Sequence, residues 1–244
     1  MRRVPVVVAL LVLPLTGCAA AEQASAPTPQ PEPAAVDRSA AAEAFVSATF
    51  AGKRPAPEPA VPRGFRLRES RPDNVALAFP HGWQALTSSD ARYPGVMQMF
   101  GEINRGVASA VAALSMPDGP LKLLGFDPRT LRGFATTASV MMVNANPDAP
   151  YSRWSGQVLR QTRRLPSTDG RDRASKVDHP LGAALRLQYF RRYGDGRRIA
   201  TLQFFVNRGE IGYIVTYATH PKLMKQYAAQ FAASVKTLRE ADPA

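Results

Sequence analysis

AALRLQYFRRYGDGRRIATLQFFVNRGEIGYIVTYATHPKLMKQYAAQFAASVKTL, residues 183–238, carries the plainest pattern in the chain. Ala183, Leu185, Leu187 and Tyr189 alternate with Ala184, Arg186 and Gln188, the period-two pattern of a strand with two unlike faces. Gly194-Asp195-Gly196 is a turn signal, and Ile199 to Val206 is a second strand with Ala200, Leu202, Phe204 and Val206 on one face. Arg208-Gly209-Glu210 turns the chain again into Ile211–Thr219, which is rich in β-branched and aromatic residues. The three runs predict an antiparallel meander. His220-Pro221 breaks it, and Leu223, Tyr227, Phe231, Val235 and Leu238 then recur at helical spacing, one apolar stripe able to lie on the sheet.

Upstream, Val75 to Phe79 reads as a short apolar strand stopped by Pro80-His81-Gly82, with Trp83 opening the next segment. Val107 to Met116 is apolar and alanine-rich, so helix and strand both fit; Pro117-Asp118-Gly119-Pro120 closes it. Asp127-Pro128 has the form of a helix start, Asp as N-cap and Pro in the first turn. Leu131, Phe134, Ala138, Met141 and Met142 follow at helical spacing, and Asn146-Pro147-Asp148 ends the run, so a helix with a methionine pair as core filler is expected here. Strands grouped together with helices at intervals give an α+β class, an antiparallel β-sheet flanked by helices. Gly64 to Glu240 has the length of a single domain.

The N-terminal part has a different character. Arg2 and Arg3 precede an apolar run, Val4 to Leu13, of signal-peptide rather than membrane-span length. Leu15-Thr16-Gly17-Cys18 then resembles the bacterial lipobox, which implies removal of residues 1–17 and acylation of Cys18. Cys18 is the chain's one cysteine, so no disulfide is available to the domain. Residues 18–63 are rich in Ala, Pro, Glu, Gln and Ser, the composition of a solvated tether, with room for one short helix over Ala40–Phe50. The expected location is the outer face of the cell membrane, held by the lipid anchor.

Two stretches carry a family resemblance. The strand that runs into Pro80-His81-Gly82-Trp83, and the final strand Gly212-Tyr213-Ile214-Val215-Thr216-Tyr217 leading into the closing helix, resemble the PsbP-like α/β/α sandwich. With the lipobox, the pattern is similar to the actinobacterial LpqN/LpqT group of lipoproteins. The excess of arginine over lysine, 25 against 6, fits a high-GC actinobacterium. The resemblance implies a surface-anchored accessory of envelope assembly with no established enzymatic activity; no cofactor is expected. Trp83 and Tyr217 match its pattern as core positions.

No nucleophile elbow, Ser-x-x-Lys pair, P-loop or dinucleotide fingerprint occurs. His81, His179 and His220 all neighbour prolines, and no zinc spacing exists among them, so no metal is expected. Asp169, Asp172 and Asp178 are interleaved with Arg171, Arg173 and Lys176, which disfavours a calcium loop. The chain carries a formal charge of +12. Between Arg153 and Arg198 twelve basic residues face four acidic ones. Arg191, Arg192, Arg197 and Arg198 flank one hairpin turn, and with Arg186 they form the candidate patch for an anionic partner. Export argues against nucleic acid; an envelope protein, a glycan or anionic lipid remains.

The function expected is therefore a non-catalytic binding or accessory protein of the cell envelope. The alternatives are a lipid or small-ligand carrier with an apolar pocket lined by the Met141–Met142 helix, and an envelope ester hydrolase with a Ser or Asp beside a His.

Overall fold

The computed structural model describes residues 58–93, 95–96, 105–131, 134–164, 172–192 and 198–241, all within one structural unit. Cys18, the Ala40–Phe50 segment, Asp169, Arg171, the Gly194-Asp195-Gly196 turn and Arg197 lie outside the described residues. In chain order the elements are β1 (Phe65–Ser70), β2 (Val75–Pro80), β3 (Gln84–Thr87), α1 (Ser88–Ala91), α2 (Arg105–Leu114), β4 (Leu121–Leu131) and β5 (Phe134–Asn144). Then come α3 (Tyr151–Arg163), β6 (Arg173–His179), β7 (Gly182–Arg192), β8 (Arg198–Arg208), β9 (Ile211–Thr219), a 3-10 turn (Pro221–Leu223) and α4 (Met224–Val235).

β3 to β9 form one seven-stranded sheet in the order β3-β4-β5-β9-β8-β7-β6, antiparallel throughout. The chain leaves β5 through α3, enters at the far edge as β6, and returns strand by strand until β9 pairs with β5. The expected meander is β7-β8-β9, extended by β6, which the sequence reading did not separate from its charged surroundings.

The two faces of the sheet bury different partners. On one lie Ala138, Val140, Leu202, Phe204, Val206, Tyr213, Val215 and Tyr217, covered by α4 and by the β1–β2 hairpin through Val75, Leu77 and Phe79. The other carries Leu185, Leu187, Tyr189, Phe205 and Ile214 beneath Val158 of α3. On that side, too, Leu121, Leu124 and Phe126 pack with Val107, Val111 and Leu114 of α2. The C-terminal stripe behaves as its spacing predicts: Tyr227, Phe231, Val235 and Leu238 are all buried. A twelve-residue helix is marginal alone, but each such buried side chain contributes about 1.5–3 kcal/mol. Past α4 the chain bonds back to β2: Ala76 and Arg239 exchange backbone bonds of 2.9 and 3.1 Å. Ala78 donates its N–H to Thr237 Oγ1 at 2.8 Å, and Ser234 Oγ donates to the Ala78 carbonyl at 2.6 Å. The outer edge of β2 is thereby closed.

The helix expected from Asp127-Pro128 does not form; those residues belong to the β4–β5 hairpin. The register shifts between Phe126↔Thr137 and Thr130↔Ala135, so Asp127, Pro128 and Arg129 together oppose Thr136, a bulge of the kind that admits proline into a sheet. The Asp127 carboxylate accepts the Arg129 backbone N–H at 3.0 Å. That local bond, to an amide two residues on, can serve a turn or bulge as readily as a helix start. The other signal was in Thr136, Thr137, Val140 and Val143, whose branched side chains favour a strand. Met141 and Met142 consequently point to opposite faces, Met141 towards the α2 and α3 clusters and Met142 towards the α4 cluster, so they line no common pocket. The ambiguous run after Val107 is helical, as α2. α3 was hidden in the basic stretch; its Val158 and Thr162 are buried, and Arg160 and Arg163 in its last turn complement the helix dipole.

One glycine is fixed by contact. A Cβ on Gly125 of β4 would lie 2.2 Å from Cδ1 of Phe79, so the hairpin ring sits directly on the strand backbone.

Candidate functional site

The three histidines all engage backbone groups. The His81 ring lies 3.0 Å from the Phe65 carbonyl. Nδ1 of His220 accepts the Lys222 N–H at 3.3 Å and so caps the 3-10 turn. Nε2 of His179 meets the Val235 carbonyl at 2.8 Å, while its Nδ1 accepts from Leu181 N at 3.1 Å. Burial pushes the His179 pKa down, against the contact with Val235, favouring the neutral ring. Among the described residues no group of three or more His, Cys, Asp or Glu side chains converges as a metal site.

Asp127 is the most buried carboxylate of the described residues, at 1% exposure. The bulge aims it at α4, where Tyr227 donates its hydroxyl to Oδ2 at 2.6 Å, and the Arg129 guanidinium closes over the carboxylate, with Nε 2.8 Å from Oδ1. Burial pushes the Asp127 carboxyl up, but the bonds from Arg129 and Tyr227 outweigh it and hold the carboxyl below the usual range. Burial and the adjoining carboxylate push the Tyr227 hydroxyl up. Thr136 and Thr219 share a buried hydroxyl–hydroxyl bond of 2.7 Å in the next row. Tyr227 also packs edge-on to Trp83, with ring centroids 6.1 Å apart, and parallel to Phe231 at 5.6 Å; Phe231 in turn stacks on Tyr217 at 4.5 Å. These bonds fix the β4 bulge to α4 and use every oxygen of Asp127, which makes the cluster a structural clasp. Sequence reading missed it because its members are 100 residues apart.

The arginines are sorted by strand alternation. Arg191 has odd parity with Leu187 and Tyr189; it lies on the α3 side of the sheet and is only 9% exposed, so it is no part of an open patch. Arg186 and Arg192 have even parity and lie on the α4 side, with Gln188 and Phe190 between them. Arg198 of β8 is the register partner of Arg192, and Arg173 of β6 that of Gln188, so both join the same face. Sequence reading omitted Arg173 from the patch because β6 was not recognised as a strand. The sorted face is Arg173, Arg186, Arg192 and Arg198.

This corner of the sheet is left open by the course of α4. The helix begins beside the start of β8, since Thr219 pairs with Ala200, and ends over the β6–β7 turn, where Val235 meets His179. Ala184 and Val177, near that turn, pack into the core under it. Arg186, Gln188 and Phe190 are half-buried, while Arg173, Arg192 and Arg198 are exposed. The Arg186 guanidinium donates to Gln188 Oε1 at 3.2 Å, and that of Arg198 lies 4.2 Å from the centre of the Phe190 ring. Asp178, opposite Ala183, falls on the other face. The directly opposed Arg192–Arg198 pair costs roughly 0.2–1 kcal/mol as a like-charge cross-strand contact. The Arg198–Phe190 contact offsets about 0.5–1 kcal/mol of it.

No protein-family model matches the chain, and no curated protein does. Among solved structures, the chain is similar to cyanobacterial PsbP (CyanoP) from Synechocystis at 10% identity, with 74% of this chain and 94% of that one covered and a TM-score of 0.44. It is similar to LpqN of Mycobacterium tuberculosis, which is described as involved in cell envelope biogenesis, at 10% identity over 69% of this chain and 83% of that one, with a TM-score of 0.41. It is also similar to the Saccharomyces cerevisiae Ran-binding protein Mog1p, at 10% identity over 73% and 96% of the two chains, with a TM-score of 0.45. The α+β class itself rests on the sheet order and helices described above.

Proposed function

We propose that this chain is an exported lipoprotein, anchored to the outer face of the cell membrane by acylated Cys18, whose folded domain is a non-catalytic accessory that binds an anionic partner of the cell envelope. The observation that carries the reading is the open sheet face with Arg173, Arg186, Arg192 and Arg198, where no carboxylate of the described residues pairs with Arg173, Arg186 or Arg192. Four guanidiniums on a rigid strand face present fixed, planar donor forks, a geometry suited to carboxylate or phosphate oxygens. The lipobox-like run ending at Cys18 supports the anchor, and residues 18–63 give the domain length to reach beyond the bilayer surface.

Two measurements test the two halves of this reading. Expressed in an actinobacterial host, the full chain should partition into detergent and Cys18→Ala should not; equal partitioning would refute the anchor. Polyglutamate and polyphosphate should bind the full chain in a salt-dependent manner. The combined R186E, R192E and R198E variant, with unchanged circular dichroism, should lose about tenfold or more in affinity. Unchanged binding of both polymers would refute the basic face.

A further inference from the structure

The seven-stranded sheet has two edges, and they are built differently. β3 is four residues long and runs directly into α1, where Thr87 and Asp90 form a capping box. β6 is seven residues long, contains no proline or glycine, and keeps an unbroken register with β7 from Arg173↔Gln188 to His179↔Gly182. Arg173 to Lys176 are exposed on both faces. Among the described residues the sheet ladder pairs β6 with β7 alone, so its outer row of N–H and C=O groups faces outward. The edge of β2, by contrast, is closed by Ser234, Thr237 and Arg239.

We propose that β6 is a docking strand, and that its outer edge takes an extended acidic polypeptide segment as an eighth strand of the sheet. The proposal rests on the basic-face reading above and names the partner class for it. An open edge offers main-chain bonds to any strand, and the charges decide which strand comes. On their accessible faces β6 and β7 carry Arg173, Lys176, Arg186 and Arg192 against Asp178. A second copy of β6 would join two strands that each carry Arg173 and Lys176 against one Asp178, a net like-charge approach, whereas an acidic strand brings the opposite sign. An acidic strand gains on both faces. On the α4 side its carboxylates fall beside Arg173, with Arg186 one strand further in, and on the α3 side beside Lys176, whose ammonium sits 5.1 Å from the centre of the Tyr151 ring. Val177, packed against the core with Leu181, gives the incoming strand an apolar neighbour at the end nearer the β6–β7 turn.

The test uses the full chain and a short synthetic peptide of alternating Glu and Val, with a second peptide of the same sequence N-methylated at alternate residues. Methylation removes main-chain donors and keeps every charge. The unmethylated peptide should bind and slow amide exchange in Arg173–His179, and the methylated one should bind at least about tenfold more weakly. R173E combined with K176E should lower peptide affinity by a similar factor while the fold, read by circular dichroism, is kept. Equal binding of both peptides, or protection elsewhere than β6, would overturn strand addition. If in that case R186E, R192E and R198E still abolish polyanion binding, the basic face stands without it. Concentration-dependent dimerisation with β6 protected in the absence of peptide would overturn the acidic occupant in favour of a second copy.

Discussion

Gly125→Ala probes the contact that seats the β1–β2 hairpin on the sheet. The new Cβ would lie 2.2 and 2.3 Å from Cδ1 and Cε1 of Phe79, a ring that is itself 2% exposed. Real Cβ contacts stay above about 3 Å, so the ring must move by roughly an ångström within the close-packed core cluster it shares with Leu77, Leu123 and Tyr227. Overpacking of this kind costs about 1–3 kcal/mol. Reduced freedom of the unfolded chain returns roughly 0.4–1 kcal/mol, leaving a net loss of about 1–2 kcal/mol. Phe79→Ala alone should cost about 3–5 kcal/mol, because it opens a cavity. The double variant should be more stable than the sum of the two losses, since the alanine methyl enters space the ring has vacated. A coupling of at least about 1 kcal/mol is expected. The assay is urea unfolding of the four proteins followed by tryptophan fluorescence, with constant slopes required for comparison. A Gly125→Ala loss below about 0.5 kcal/mol, or strict additivity, would refute the packing of Phe79 on the β4 backbone and with it the placement of the hairpin.

Tyr227→Phe removes a bond to a charged carboxylate and should cost roughly 1.5–3 kcal/mol in the same assay, whereas a solvent-facing tyrosine such as Tyr93 should cost almost nothing. The carboxyls of Asp73, Asp90 and Asp127 are all held below the usual range: burial opposes this in each, and bonds to Lys122, Thr87 and Arg68, or Arg129 and Tyr227 outweigh it. Groups of depressed folded pKa stabilise above their unfolded value near 3.9, so this contribution is intact at neutral pH and is lost as pH falls through the lower folded values. A urea midpoint that failed to drop across that acid window would contradict these assignments. Arg192→Glu converts a like-charge cross-strand pair with Arg198 into an opposite-charge one and should raise stability by about 0.2–1 kcal/mol while weakening polyanion binding; Arg191→Glu, at a buried position, should lower stability. Equal effects at the two neighbouring positions would show that strand parity does not sort them.

Where period and turn chemistry agreed, local residues were enough to define the element. Leu185 to Tyr189 alternates because β7 buries one face more than the other, Ile199 to Val206 and Ile211 to Thr219 read as apolar, β-branched and aromatic runs because they are buried on both faces, and His220-Pro221 leaves no other continuation than a break before α4. The α+β class followed from those residues alone. Local signals failed where a short-range bond serves two geometries. Asp127 makes the same side-chain-to-amide contact a helix start would show, and only the distant Tyr227 and the β5–β9 pairing decide for a bulged strand. α3 and β6 were illegible for a related reason: both lie in a charged stretch, and each is held by contacts across the fold, α3 through the Val158 cluster and β6 through its ladder with β7. The arginine cluster was visible as composition, but its use was not. Adjacent residues on a strand point to opposite faces, so tertiary structure buries Arg191 beneath the α3 side, leaves Arg192 open, and brings in Arg173 from the neighbouring strand β6. Sequence carries the local period; which face of that period meets solvent is settled only by what packs across the sheet.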